Sequence, residues 1–105
     1  MTPIEFRRAI HRRPELSFVE YKTAEFIESA LAAEGIECRR VAGTGVLAKI
    51  EGTGDLKRAV VLRADIDALP ITEATGLEYA SENEGVMHAC GHDMHAAILF
   101  GALKS

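Results

Sequence analysis

The sequence has no tryptophan and only two cysteines among its 105 residues. Two thiols far apart in the chain do not make a disulfide framework. In a reducing compartment Cys90 is better explained by ligation than by bridging. Cys38, in an apolar-leaning stretch, reads as a small buried side chain. A run of roughly eighteen apolar residues is also missing, so no membrane-spanning helix is expected. Charges interrupt the first residues, unlike a signal peptide, and a cytoplasmic location without a membrane partner follows as the expectation. Basic residues number 12 against 16 acidic ones, for a formal charge of −4. The short pairs Arg7-Arg8 and Arg12-Arg13 are assigned to a solvated helix face, and nucleic acid is not an expected partner. Internal repeats and low-complexity segments are absent as well.

What remains is an ordinary globular composition, 48% hydrophobic and 27% charged, sufficient for one small domain with a modest core. Thr2-Pro3-Ile4-Glu5 is a complete helix start, with Thr as N-cap, Pro at the first helical position and Glu placed to return the hydrogen bond. A helix from Pro3 to about His11 follows, with a partial apolar stripe of Ile4, Phe6 and Ile10. Pro14 stops it. Ser17-Phe18-Val19-Glu20 reads as a second capping box, ahead of Phe18, Tyr21, Ala24, Ile27 and Leu31 at helical spacing. Gly35 is the expected stop.

Beyond Gly35 the period becomes that of strands. Ile36 to Val41 and Val46 to Ile50 are predicted strands around a turn at Gly43-Thr44-Gly45, and Gly52-Thr53-Gly54-Asp55 is another turn. Ala59-Val60-Val61-Leu62 reads as a continuous apolar strand covered on both faces. It leads into Arg63-Ala64-Asp65-Ile66-Asp67, a polar cluster at a strand end, where open α/β sheets place ligands. Residues 71–86 form a long irregular connection, a length that inside compact domains often signals function. A largely buried helix then runs from Asp93, a plausible N-cap, through Leu103. Helix, helix, strands and a further helix predict an α/β fold, and the order reads as the opening of such a domain rather than a finished one.

Two clusters carry chemistry. Residues 87–95, Met-His-Ala-Cys-Gly-His-Asp-Met-His, hold three of the four histidines together with Cys90 and Asp93. Thiolate and imidazole at Cys90 and His92 suit zinc and also manganese, cobalt or nickel, with Gly91 between them free to adopt an unusual turn. His88 and His95 could touch metal, bind substrate or hydrogen-bond nearby. His11, between two helices, reads as a hydrogen-bonded structural histidine. Asp65 and Asp67, two residues apart, would project both carboxylates to one side of an extended backbone, able to hold a metal or orient a ligand histidine. Arg63 could pair with either. Two aspartates opening a turn is the blander alternative. A structural zinc finger is disfavoured by the lack of a second Cys-x-x-Cys pair.

At these clusters the chain resembles a known family. Residues 63–70, Arg-Ala-Asp-Ile-Asp-Ala-Leu-Pro, and residues 87–95 look like hallmark segments of the di-metal aminoacylase and hippurate hydrolase family. That family includes N-acetyldiaminopimelate deacetylases and plant indole-acetyl-amino-acid hydrolases. His11-Arg-Arg-Pro-Glu-Leu-Ser17, followed by Glu20 and Thr23, matches the family's N-terminal signature. The resemblance implies the N-terminal portion of a mixed-sheet, zinc-peptidase-like catalytic domain over residues 1–105, incomplete and without the family's lid domain. It implies metal ligation by Cys90 and His92 in a site for two divalent ions, and a catalytic carboxylate at Asp67. Asp65 stands where the broader superfamily has a ligand histidine and is kept, with His88 and His95, as a candidate site residue.

The implied reaction is hydrolysis of an N-acyl amino acid, a small-molecule partner, by metal-activated water. The parent protein is then expected to form a homodimer or higher oligomer. The family's general-base glutamate lies in an acidic pair beyond the Cys-Gly-His motif. Glu73, Glu78, Glu82 and Glu84 precede that motif and are not assigned the role, so the 105 residues alone are expected to be inactive. A metal-binding or structural module without catalysis is the alternative, and a Cys90 nucleophile a remote third.

Overall fold

The computed structural model describes residues 1–54 and 57–105. Helix α1 spans Pro3–Arg12. It begins as its sequence demands, with the Thr2 hydroxyl accepting from the Glu5 amide at 3.1 Å and the Glu5 carboxylate accepting from the Thr2 amide at 2.9 Å. Of the expected stripe, Phe6 and Ile10 are buried, while Ile4 is 65% exposed.

The second capping box does not form. Helix α2 spans Tyr21–Ala33, its N-cap is Glu20, and no side chain caps it. Ser17 is drawn away because its hydroxyl donates to Asp67. Phe18 takes a left-handed backbone at φ 69° and is 87% exposed, so it lies outside the helical stripe. Within α2, Ala24, Ala30 and Leu31 face the interior. Gly35 ends the helix as predicted, at φ 73°, with the Ile36 amide returning to the Leu31 carbonyl at 2.9 Å.

Strands β1, Glu37–Val41, and β2, Gly45–Lys49, pair antiparallel with Val41 opposite Gly45 and Glu37 opposite Lys49. Their turn needs positive φ at Ala42 and Gly43. Helix α2 packs on this ribbon, where Cys38 is half-buried against the core. The turn expected at residues 52–55 lies partly outside the described residues, at Asp55.

The apolar run 59–62 departs from expectation. It forms no strand, and Val60 and Val61 are 87% and 83% exposed. An apolar run becomes a strand only where another strand offers it a ladder, and none does among the described residues. Downstream the chain regains partners through single bridges, parallel between Leu16 and Ala68 and antiparallel between Leu69 and Met87. Residues 71–86 contain no helix and no strand.

Helix α3 spans His92–Lys104 and lies against α1. Phe6 stacks on Phe100 with ring centroids 4.3 Å apart and tilts against Phe26 at 5.4 Å. Ile10, Leu31, Ala96 and Ala97 complete the core around them. The fold is α/β, with three helices and a two-stranded sheet among the described residues, and the α1–α3 contact brings the start of the chain against the histidine-rich segment.

Candidate functional site

Asp67 is the junction. Its Oδ2 accepts from the Ser17 hydroxyl at 2.7 Å, and its Oδ1 lies 2.8 Å from His92 Nδ1, which is also 3.1 Å from the Asp67 carbonyl. Both oxygens facing Nδ1 are acceptors, so that nitrogen carries a proton, and in the neutral ring Nε2 is the nitrogen with the lone pair. Among the described residues Nε2 has no hydrogen-bond partner. The Ser17 hydroxyl is the largest influence on the Asp67 carboxyl and, joined by His92, holds it below the usual aspartate range against the upward push of burial. A hydrogen-bonded carboxylate behind a histidine fixes the tautomer in which the far nitrogen can bind a metal.

Cys90 is exposed, with a free thiol. Gly91, the N-cap of α3, turns the chain at φ 91°, and His92 begins the helix. Asp93 is therefore not the N-cap. Its carboxylate is fully buried and engaged elsewhere, Oδ2 accepting from Arg7 Nε at 2.7 Å and from His11 Nδ1 at 2.8 Å. Arg7 thus leaves the solvated face to which the sequence assigned it. The second His11 nitrogen, Nε2, donates to Glu73 Oε1 at 2.9 Å, so the structural reading of His11 holds.

The two aspartates part company. Asp65 is paired with Arg63 at 2.8 Å and half exposed, whereas Asp67 turns to Ser17 and His92. His88 is enclosed, and neither ring nitrogen has a hydrogen-bond partner among the described residues. Burial, the largest influence, pushes its pKa down and favours the neutral ring. His95 is exposed, its ring centroid 6.1 Å from that of His92. Ser17, Asp67 and His92 open onto a groove shared with Phe18 and Val61. The hydroxyl of Ser17 and the Arg7–Asp93–His11–Glu73 cluster escaped the sequence reading, although Ser17 and His11 both lie in the N-terminal signature.

A metal fits this site in part. Cys90 supplies a thiol and His92 an oriented imidazole nitrogen, a soft pair suited to zinc and its neighbours. Among the described residues, no three His, Cys, Asp or Glu side chains are grouped so as to hold an ion. The pair would be two donors of a larger set. No helix of the described residues is long and apolar enough to cross a membrane.

Comparisons with known proteins agree with the resemblance. Residues 61–105 match the profile of peptidase family M20/M25/M40. The chain is 54% identical over 100 residues to the N-acetyl-L-cysteine deacetylase of Bacillus subtilis, covering 94% of this chain and 24% of that protein. It is 50% identical over 102 residues to an N-acyl-L-amino acid amidohydrolase of Geobacillus stearothermophilus, covering 96% of this chain and 27% of that protein. In structure it is similar to the YxeP protein of Bacillus subtilis, described as a dinuclear metal binding peptidase from the M20 family. The TM-score is 0.91 at 47% identity, over 97% of this chain and 29% of that one. The chain spans about a quarter of the length of the curated relatives it matches.

Proposed function

We propose, from a chain similar over nearly its whole length to N-acyl-amino-acid amidohydrolases, that residues 1–105 form the N-terminal part of the catalytic domain of a metal-dependent amidohydrolase. Its substrate class is the N-acyl amino acid. Cys90 and His92 Nε2 are the metal ligands contributed here, and Asp67 is the carboxylate that orients His92. The observation that carries this reading is the Ser17–Asp67–His92 chain of hydrogen bonds, which leaves the outer imidazole nitrogen free, with the exposed thiol of Cys90 one residue beyond Gly91 in the chain.

Bound divalent metal supplies Lewis acidity toward the amide carbonyl and toward water. The residues of this chain have narrower tasks. Asp67 holds the proton on His92 Nδ1, Ser17 keeps the Asp67 carboxylate turned toward the histidine, and Gly91 sets the angle between Cys90 and His92. His95, exposed near His92, is kept as a candidate for contact with substrate. His88, enclosed, and Asp65, paired with Arg63, are not assigned as ligands. The dinuclear description of YxeP supports two ions per site, and the soft donor pair suits zinc, manganese, cobalt or nickel.

The test is an assay of the full-length protein carrying this sequence on N-acetyl and N-benzoyl amino acids, after chelation and after restoring each metal. Amide hydrolysis should vanish with chelation and return with metal. Cys90→Ala should lower both bound metal and turnover. Hydrolysis indifferent to chelation, or a Cys90→Ala protein with full metal content and activity, would reject the reading.

A further inference from the structure

The turn bearing Cys90 and His92 has little to hold it locally. Gly91 has φ 91°, a Cβ placed there would meet nothing within 4 Å, and no side chain caps α3. Its orientation must be imposed from elsewhere, and the structure shows where.

Asp93, next to His92, is 0% exposed, and its Oδ2 receives two charge-assisted bonds from α1, from Arg7 Nε at 2.7 Å and His11 Nδ1 at 2.8 Å. Arg7 and His11 stand one turn apart on one face of that helix. Behind His11, Glu73 Oε1 accepts from Nε2 at 2.9 Å and from the Ser81 amide at 2.9 Å, and the Thr75 hydroxyl donates to the other Glu73 oxygen. Further bonds join the same segment to the end of α1, from the Glu82 amide to the Arg12 carbonyl at 2.7 Å and from Asn83 Nδ2 to the Pro14 carbonyl at 3.1 Å.

His11 spans two carboxylates, its Nδ1 toward Asp93 and its Nε2 toward Glu73. Asp93 Oδ1 is enclosed and has no hydrogen-bond partner among the described residues, so Oδ2 is the oxygen through which α1 holds Asp93. Tyr79 closes the cluster, edge-on to His11 at 5.5 Å and beneath Arg7 at 5.1 Å. Rotating or sliding the first turn of α3 would break the bonds to Asp93 inside this enclosure.

We infer that His11, backed by Glu73, is a positioning residue: through Asp93 it fixes the first turn of α3, and so the geometry with which Cys90 and His92 meet a metal. His11 touches neither proposed ligand and acts only through Asp93. The inference rests on the ligand assignment proposed above.

The experiment uses the full-length protein loaded with cobalt(II), whose thiolate charge-transfer absorption reports ligation by Cys90 and whose affinity is read by chelator competition. His11→Asn places a donor near the Nδ1 position and keeps the bond to Asp93. His11→Gln reaches instead toward Glu73. Wild type and His11→Asn should share band position and affinity within about threefold, while His11→Gln and His11→Ala should lose about 10- to 100-fold in affinity with a weakened band.

A core variant of matched stability loss, Phe26→Leu, should leave the band unchanged. Folded His11→Gln and His11→Ala proteins with wild-type band and affinity would overturn the inference, as would a His11→Asn protein that loses as much as His11→Ala. Should the His11 variants fail to fold, Asp93→Ala, which removes the acceptor altogether, carries the same test, since wild-type cobalt affinity in that variant is equally fatal. A wild-type protein that binds cobalt without any thiolate band removes the ligand assignment itself, and the inference falls with it.

Discussion

Asp67 Oδ1 and His92 Nδ1 lie 2.8 Å apart although 25 positions separate the two residues in sequence. The contact joins the segment after the apolar run to the first residue of α3, and it decides which imidazole nitrogen is free. Asp67→Ala removes the acceptor and leaves the tautomer unconstrained. Metal affinity should fall about 10- to 100-fold. Asp67→Asn can still present a carbonyl oxygen to Nδ1 and should lose less. Calorimetric titration of metal into both full-length variants checks the order, and wild-type affinity in Asp67→Ala would refute the orienting role.

Gly91 provides a second test because its constraint is conformational. At φ 91° a β-carbon is strained even with open space around it, at a cost of roughly 1–2 kcal/mol. Gly91→Asn should be tolerated better than Gly91→Val, since asparagine visits left-handed backbone and β-branched residues do not. Urea unfolding gives the ranking. Metal affinity should follow it, because the same residue sets the angle between Cys90 and His92.

The parts of this structure legible in the sequence are those governed by neighbours along the chain. The Thr2–Glu5 capping box, the Gly35 stop and the β1–β2 hairpin formed where local chemistry placed them. Ser17 shows the limit. Its spacing to Glu20 specifies a capping box as well as Thr2 does, yet a carboxylate at Asp67 outcompeted the local amide. Asp93 repeats the lesson, offering itself as an N-cap but serving Arg7 and His11 from a distant helix. Val60 and Val61 show the converse, since a strand pattern without a ladder stays exposed. At the candidate site, Cys90, His92 and Asp67 are proposed from residue type and motif, whereas the His11–Asp93 link depends on helix packing that no spacing rule encodes.

Glu73 makes stability depend on acidity. Burial pushes its carboxyl upward, but the Thr75 hydroxyl, the Ser81 amide and His11 together outweigh that and hold it below the ordinary glutamate value of 4.5. The folded protein therefore binds fewer protons at this group than the unfolded chain does. Its contribution is fully present above that ordinary value and is lost as pH falls through the lower native one. Glu73→Gln should be less stable than wild type at pH 7, with a gap that narrows below about pH 4.5. Urea unfolding of both proteins from pH 7 to pH 3 measures this, and a gap constant with pH would contradict it.

Phe6 and Ile4 occupy the same helix and look alike in a hydrophobicity count, so together they separate composition from packing. Phe6 is 2% exposed and stacked 4.3 Å from Phe100, and it ties α1 to the helix that begins at His92. Phe6→Ala removes the ring and leaves a cavity between those helices, for an expected loss of about 3–5 kcal/mol. Ile4, 65% exposed, gives up little on replacement by serine, within about 0.5 kcal/mol. Chemical denaturation of the two variants provides the comparison. Because α1 also carries Arg7 and His11 to Asp93, Phe6→Ala should in addition speed hydrogen exchange at the amides of Met94 and His95, whose partner is the Gly91 carbonyl in the first turn of α3. Unchanged exchange there alongside a large loss of global stability would show that the α1–α3 contact does not hold that turn.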